Sequence, residues 1–254
     1  MKFMKIAIVT GASSGMGREM VYQLADRFGG LSEIWVIARR MDRLNEFDGK
    51  LPTKVRKFAI DITDPNGLRQ LEAALEKQKP DVKVLVNAAG YGKTGTIGQI
   101  APNDALGMVR LNNESLVAVT EMVLPYISAN SRIIQFASAA AFVPQPGFAV
   151  YAATKSFVLS YSRALAAELK SKQIYVTAVC PGTVDTEFLD LALHGKKLPP
   201  YKRLVLSNPK KVVSCAISDS LKGKEMSVYG PVMKVFMLIC KCLPHGLIMK
   251  FIQW

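Results

Sequence analysis

The sequence is short of cysteine, of uncharged apolar runs and of acidic residues, and each scarcity excludes something. Four cysteines, Cys180, Cys215, Cys240 and Cys242, in 254 residues show no spacing that suggests a disulfide framework. Reduced thiols and a cytoplasmic address are therefore expected. Cys240, Cys242 and His245 supply only three groups, inside an apolar basic stretch, which is too few for a structural zinc site, and no metal is expected. No uncharged apolar stretch reaches ~18 residues, which argues against a membrane-spanning helix. Residues 1–10 are basic and then apolar, but the apolar part is too short for a secretory signal and runs into a glycine-rich turn, so it reads as a first strand. With no Pro/Gly/Ser-rich linker, internal repeat or low-complexity tract, one domain over 1–254 is expected.

Aspartate and glutamate number 20 against 33 lysines and arginines, a formal charge of +13. The excess is local. Residues 1–190 hold 22 basic and 18 acidic groups, whereas residues 191–254 hold 11 and 2. Such a surface suits an anionic lipid or a phosphorylated ligand; no recognised nucleic-acid motif accompanies it, so no nucleic-acid partner is expected. Half of the chain, 50%, is apolar, enough for a sizeable core and too much for a disordered chain.

Short β-branched runs near 6–10, 34–38, 55–60, 84–87, 132–137 and 174–180 alternate with amphipathic segments near 15–28, 65–78, 103–124 and 151–170. This alternation predicts an α/β fold with a doubly wound parallel sheet. Ligands of such sheets bind at the carboxyl ends of the strands, where this sequence places Gly11, Arg39, Asp61, Asn87, Ser138, Pro181 and Gly182.

Between the first strand and the first helix stand Gly11, Ser13, Ser14, Gly15, Met16 and Gly17. Their glycines suit a tight turn that brings backbone close to a pyrophosphate at a helix N-terminus. Arg39 ends the second strand, where a fold preferring NAD would carry a carboxylate for the ribose 2′-hydroxyl. With Arg40 beside it and Ser13 in the turn it suits a 2′-phosphate, and NADP(H) is the expected cofactor.

Tyr151 and Lys155 are spaced to share a helix face. A cation ~4 Å from a phenol at an effective dielectric near 20 is worth about 4 kcal/mol, enough to bring a phenol from about 10 to near neutral. Such a phenol can give a proton to a carbonyl oxygen as hydride arrives, or take one from an alcohol, while Ser138 donates a hydrogen bond to the same oxygen.

These motifs resemble those of the short-chain dehydrogenase/reductase family over about residues 3–190: T-G-x-x-x-G-x-G from Thr10 to Gly17, Asp61, Asn87-Ala88-Ala89-Gly90, Ser138 with Tyr151-x-x-x-Lys155, and Pro181-Gly182 followed by Thr186. The resemblance implies a Rossmann fold and specific roles. Tyr151 is the general acid/base, Lys155 lowers its pKa and holds the nicotinamide ribose, Ser138 positions the carbonyl, and Asn112 holds a water that relays protons. Asp61 and Ile62 would hold adenine. Asn87, Ala88 and Gly90 would line the cofactor bed, and Pro181, Gly182, Val184 and Thr186 would embrace the carboxamide. Met16 stands where isoleucine is usual. Substrate choice in the family lies in the segments corresponding to 139–148 and 183–206, which make Phe142, Gln145 and Phe188 the substrate candidates.

The chain departs from the family's common ending. A last strand is expected at 225–229, and 231–254 reads as an apolar, basic helical extension broken at Pro244 and Gly246, similar to the tails of a DltE-like subgroup. Lys234 and Lys241 share a helical face there. This pattern suits peripheral membrane contact, with cover over a subunit interface or the active site as the other reading.

The reading that follows is an NADP(H)-dependent oxidoreductase interconverting a ketone and a secondary alcohol on a bulky apolar substrate of hydroxysteroid type or a similar lipid. A homo-oligomer, dimer or tetramer, is expected. Two alternatives are a 3-oxoacyl thioester reductase, whose acidic carrier or CoA phosphate would meet Lys196, Lys197, Lys202 and Arg203, and a catalytically silent NADP-binding interaction protein.

Overall fold

Seven parallel strands form one sheet in the order β3-β2-β1-β4-β5-β6-β7. They are β1 (Lys5–Thr10), β2 (Glu33–Ala38), β3 (Lys54–Ala59), β4 (Asp81–Asn87), β5 (Ser131–Phe136), β6 (Ile174–Val179) and the short β7 (Met226–Ser227). The structure is a computed structural model and describes residues 4–193, 195, 198 and 205–252. Lys196, Lys197, Lys202, Arg203 and Trp254 lie outside the described residues.

Side-chain alternation builds a core on each face of the sheet. Ile6 and Ile8 of β1, with Trp35 and Ile37 of β2, pack on one side with α3 (Pro65–Gln78), α5 (Ser115–Val123) and α6 (Ala149–Leu169). Ala7, Val9, Ile34 and Val36 face the other side, against α1 (Gly15–Arg27), α2 (Met41–Asn45) and α8 (Pro209–Leu221). Strand order reverses between β1 and β4, and a crevice opens at their carboxyl ends. It brings the turn after β1 beside residues 87–90.

The helical pattern over 103–124 resolves into three pieces: α4 (Pro102–Val109), a π-helical stretch Arg110–Glu114 and α5. The wider turn falls on Asn112, and periodicity alone cannot register it. The helix expected from 151 starts two residues earlier, at Ala149. The extension forms α9 (Pro231–Cys242) and α10 (His245–Met249), broken at Pro244 as expected, whereas Gly246 lies inside α10 and does not break it. One face of α9 folds back: Phe236 packs with Phe142, Val143, Cys240 and Ile248, and Met233 and Met237 join a cluster with Cys180 and Val228.

Candidate active site

A cavity of about 1090 Å³ runs along the carboxyl edge of the sheet. At one end lies the turn after β1. Gly11 adopts a φ of +69°, and a Cβ there would sit 2.7 Å from the Ala89 amide nitrogen. A Cβ on Gly17 would come within 2.3 Å of the Gly11 carbonyl oxygen. Thr10 Oγ1 accepts from the amides of Ala88 (3.2 Å) and Ala89 (3.3 Å), tying the loop after β4 to the turn. Ser14 precedes α1 without a side-chain cap, and the first turn carries no acid. The helix start, lined by Gly15, Met16 and Gly17, thus offers unpartnered amides and a positive dipole end to an anion. The donor set and the bare glycine cradle fit a dinucleotide.

At the second strand's end, Arg40 is the better anchored arginine: its Nη2 donates to Ser13 Oγ at 3.2 Å. Arg39 is 75% exposed and stands 3.8 Å from Asp61 Oδ2. Asp61 Oδ1 accepts from the Thr63 amide (2.9 Å) and hydroxyl (2.7 Å), so its carboxylate also shapes its own turn.

At the other end α6 carries Tyr151 and Lys155, both buried. Lys155 Nζ donates to the Phe136 carbonyl at 2.7 Å and lies 5.7 Å from the Tyr151 ring centroid. The lysine does not bring the phenol down as the spacing predicts. Burial dominates and raises the Tyr151 pKa, opposed by its hydrogen bond with Ser138. Burial likewise pushes the Lys155 ammonium down to about 8. The ammonium is drawn to a backbone carbonyl and the phenol is walled by rings, so desolvation outweighs the attraction of the cation. Phe148 stacks on Tyr151 with centroids 4.3 Å apart, and Phe188 lies at 5.4 Å.

Ser138 follows β5, and its Oγ accepts from the Ala140 amide at 3.1 Å. Asn112 sits beneath the floor, fully buried. Its Nδ2 donates to the Tyr91 carbonyl (2.9 Å) and Thr154 Oγ1 (3.0 Å), and its Oδ1 accepts from the Tyr91 amide (3.0 Å). It therefore clamps the loop after β4 onto α6.

Most of the candidate residues line the same cavity: the turn from Gly11 to Gly17, Arg39, Asp61, Ile62, Ala88, Gly90, Ser138, Gln145, Tyr151, Lys155, Pro181, Gly182, Val184, Thr186 and Phe188. Asn87 is buried behind it with Nδ2 donating to Thr120 Oγ1 (3.0 Å). Phe142 stands back from it, its ring centroid 6.4 Å from that of Phe236. Thr154, Tyr91 and Phe148 escaped sequence reasoning. An aromatic one helical turn before Tyr151 was the available signal for Phe148. Nothing local marks Val232, Met233, Phe236 and Ile252, which bring the extension to the cavity wall.

A family model described as short chain dehydrogenase matches residues 5–196. Serine 3-dehydrogenase of Agrobacterium fabrum (strain C58) is 34% identical over 186 residues, 71% of this chain and 72% of that protein. The 3-oxoacyl-[acyl-carrier-protein] reductase FabG of Thermotoga maritima is 27% identical over 201 residues, 78% of this chain and 79% of the relative. A solved short-chain dehydrogenase from Sphingobium yanoikuyae in complex with NADPH superimposes with a TM-score of 0.79 at 25% identity, covering 96% of this chain and 95% of that one.

Proposed function

This chain belongs to the short-chain dehydrogenase/reductase family, an oxidoreductase acting on CH–OH/C=O, and we propose that it is an NADP(H)-dependent reductase of a bulky apolar ketone, reversible as a secondary-alcohol dehydrogenase. The NADP(H) reading is supported by Ser13, Arg39 and Arg40 around the turn, and by the NADPH carried by the Sphingobium relative.

Bound NADPH supplies the hydride to the carbonyl carbon. The side chains of this chain manage the proton and the geometry. Ser138 and Tyr151 present hydroxyl groups to the carbonyl oxygen. Tyr151 holds its proton firmly because burial raises its pKa, and it releases that proton as the oxygen gains charge, which is the task of a general acid. Lys155 sets a cation beneath the ring, and Asn112 with Thr154 keeps the floor rigid. Gly11, Gly15 and Gly17 let the nucleotide backbone approach, and Asp61 and Ile62 flank the adenine end, with Thr186 and Val184 at the other.

The observation that carries the substrate reading is the run of apolar side chains on the cavity wall, Phe148, Phe188, Val232, Met233, Phe236 and Ile252, with Gln145 beside them and the Lys93–Asp104 ion pair also on the lining. Such a wall suits a sterol-like or long-chain ketone better than a sugar. The 3-oxoacyl thioester reading is favoured by the net basic segment 191–254 and by the likeness to the Thermotoga reductase. NADPH oxidation against steroid ketones, medium-chain ketones and 3-oxoacyl thioesters tests the choice. Turnover confined to carrier- or CoA-linked substrates overturns the apolar-ketone reading.

Two interaction readings accompany it. Exposed Leu106 and Val109 on α4 and Phe157 on α6 support a homo-oligomer. The outer side of α9 leaves Val235, Leu238 and Ile239 exposed near Lys234 and Lys241, which supports peripheral contact with an anionic membrane. No helix among the described residues is long and apolar enough to cross a membrane.

A further inference from the structure

The arginine that Ser13 holds is also held from the segment that follows the Pro181-Gly182 turn. Arg40 Nη2, which donates to Ser13 Oγ at 3.2 Å, lies 3.1 Å from Glu187 Oε2. The second Glu187 oxygen is 3.8 Å from Arg43 Nη2. Glu187 opens α7 (Glu187–Leu193), and the next residue, Phe188, rests on the Tyr151 ring at 5.4 Å. A single short helix therefore has its first carboxylate at the 2′-phosphate end of the cavity and its first aromatic at the phenol.

The two partners are 43% and 45% exposed, so the contact is a solvated ion pair of modest strength. A phosphate monoester carries close to two charges at neutral pH and three acceptor oxygens. It outcompetes one carboxylate for a guanidinium, and a carboxylate left beside it repels it. Neighbouring Glu46 serves Arg18 and Arg43 instead, so it bears the same charge without touching Arg40.

We propose that Glu187 is a specificity-determining residue for the nucleotide: its carboxylate occupies Arg40 until a 2′-phosphate displaces it. The inference rests on the NADP(H) reading above. Glu187 thereby holds the affinity for the phosphorylated nucleotide below what Ser13, Arg39 and Arg40 could reach alone.

Calorimetric titration of the full chain with 2′,5′-ADP and 5′-ADP tests this without turnover, because the two fragments differ only by the 2′-phosphate. The wild type should bind 2′,5′-ADP more tightly. Glu187→Gln should tighten 2′,5′-ADP about two- to fivefold, the scale of a solvated ion pair, and leave 5′-ADP nearly unmoved. Glu46→Gln should leave both unchanged, and in an Arg40→Ala background the gain from Glu187→Gln should shrink to the residual repulsion of the phosphate. An unchanged 2′,5′-ADP affinity in Glu187→Gln, an equal gain for both fragments, or a gain undiminished by loss of Arg40 overturns the role of Glu187 and leaves the nucleotide reading standing. A wild type that does not favour 2′,5′-ADP overturns that reading and the proposal with it.

Discussion

Phe148 lies almost flat on Tyr151, with ring centroids 4.3 Å apart and planes 24° from parallel. Both rings are buried, so the stack removes water from the phenol and contributes to the burial that holds its pKa up. Phe148→Leu keeps the site apolar but loses the flat cover. It should cost roughly 1–2 kcal/mol of stability and lower the pH at which the phenol ionises in the free protein. Ultraviolet difference titration of wild type against Phe148→Leu reads that shift. An unchanged ionisation would show that the stack does not control the phenol.

Lys155 gives a pH signature with a definite sign. Its folded pKa of about 8 lies below the ordinary lysine value of 10.5, so between these values the unfolded chain binds more protons and stability rises with pH. Below the folded value both states are protonated and the burial cost is present in full, at most on the order of 3 kcal/mol. Between about 9 and 10.5 the buried Cys180 thiol, pushed up to about 12, offsets this rise because the unfolded chain ionises first, and only above that range does stability fall. In the nucleotide-free protein, the stability of Lys155→Met relative to wild type should therefore decline steadily as pH rises from about 7.5 to 10. Chemical denaturation across that range checks it, and a difference independent of pH would mean that Lys155 is not buried as a strained cation.

Arg40, anchored on Ser13, should matter more to NADPH than Arg39, which is largely exposed. A charge-assisted contact to a phosphate is worth roughly 1.5–3 kcal/mol, so Arg40→Asp should reduce the preference for NADPH over NADH by about tenfold or more, and Arg39→Asp by less. Comparable kcat/KM for the two cofactors in the wild type would contradict this.

The two sides of α9 predict separable phenotypes. Val235 and Leu238 are 54% and 55% exposed, whereas Phe236 joins the cluster with Phe142 and Ile248. Val235→Glu with Leu238→Glu should abolish binding to anionic vesicles and leave turnover of a small ketone intact. Wild-type binding should weaken as salt rises, since each lysine near an anionic surface contributes ~1 kcal/mol of electrostatic attraction. Deleting 231–254 should also raise KM for a bulky ketone. A full-length protein that ignores anionic vesicles at low salt has no such membrane contact.

Much of this was legible because the decisive residues stand in local patterns. Ile6, Ile8, Ala7 and Val9 alternate, and the glycines at 11, 15 and 17 must sit where a strand becomes a helix. Tyr151 and Lys155 share a face by spacing alone. The remainder depends on contacts between segments far apart in the chain. Glu187 meets Arg40 across 147 positions, Phe236 comes back onto Phe142 through a reversal after β7, and the π-helical turn at Asn112 leaves no periodic trace. The Tyr151 pKa follows the same division: charge separation can be inferred from spacing, but desolvation by Phe148 and the pull of the Phe136 carbonyl on Lys155 are tertiary facts.

The central claim, that Tyr151 is the general acid of an NADPH-dependent carbonyl reduction, is tested most directly by steady-state NADPH oxidation with a ketone substrate by wild type and Tyr151→Phe, alongside direct NADPH binding. Loss of the proton donor should lower turnover at least ~10²-fold while NADPH affinity stays within a few-fold. Turnover by Tyr151→Phe equal to the wild type would contradict the account.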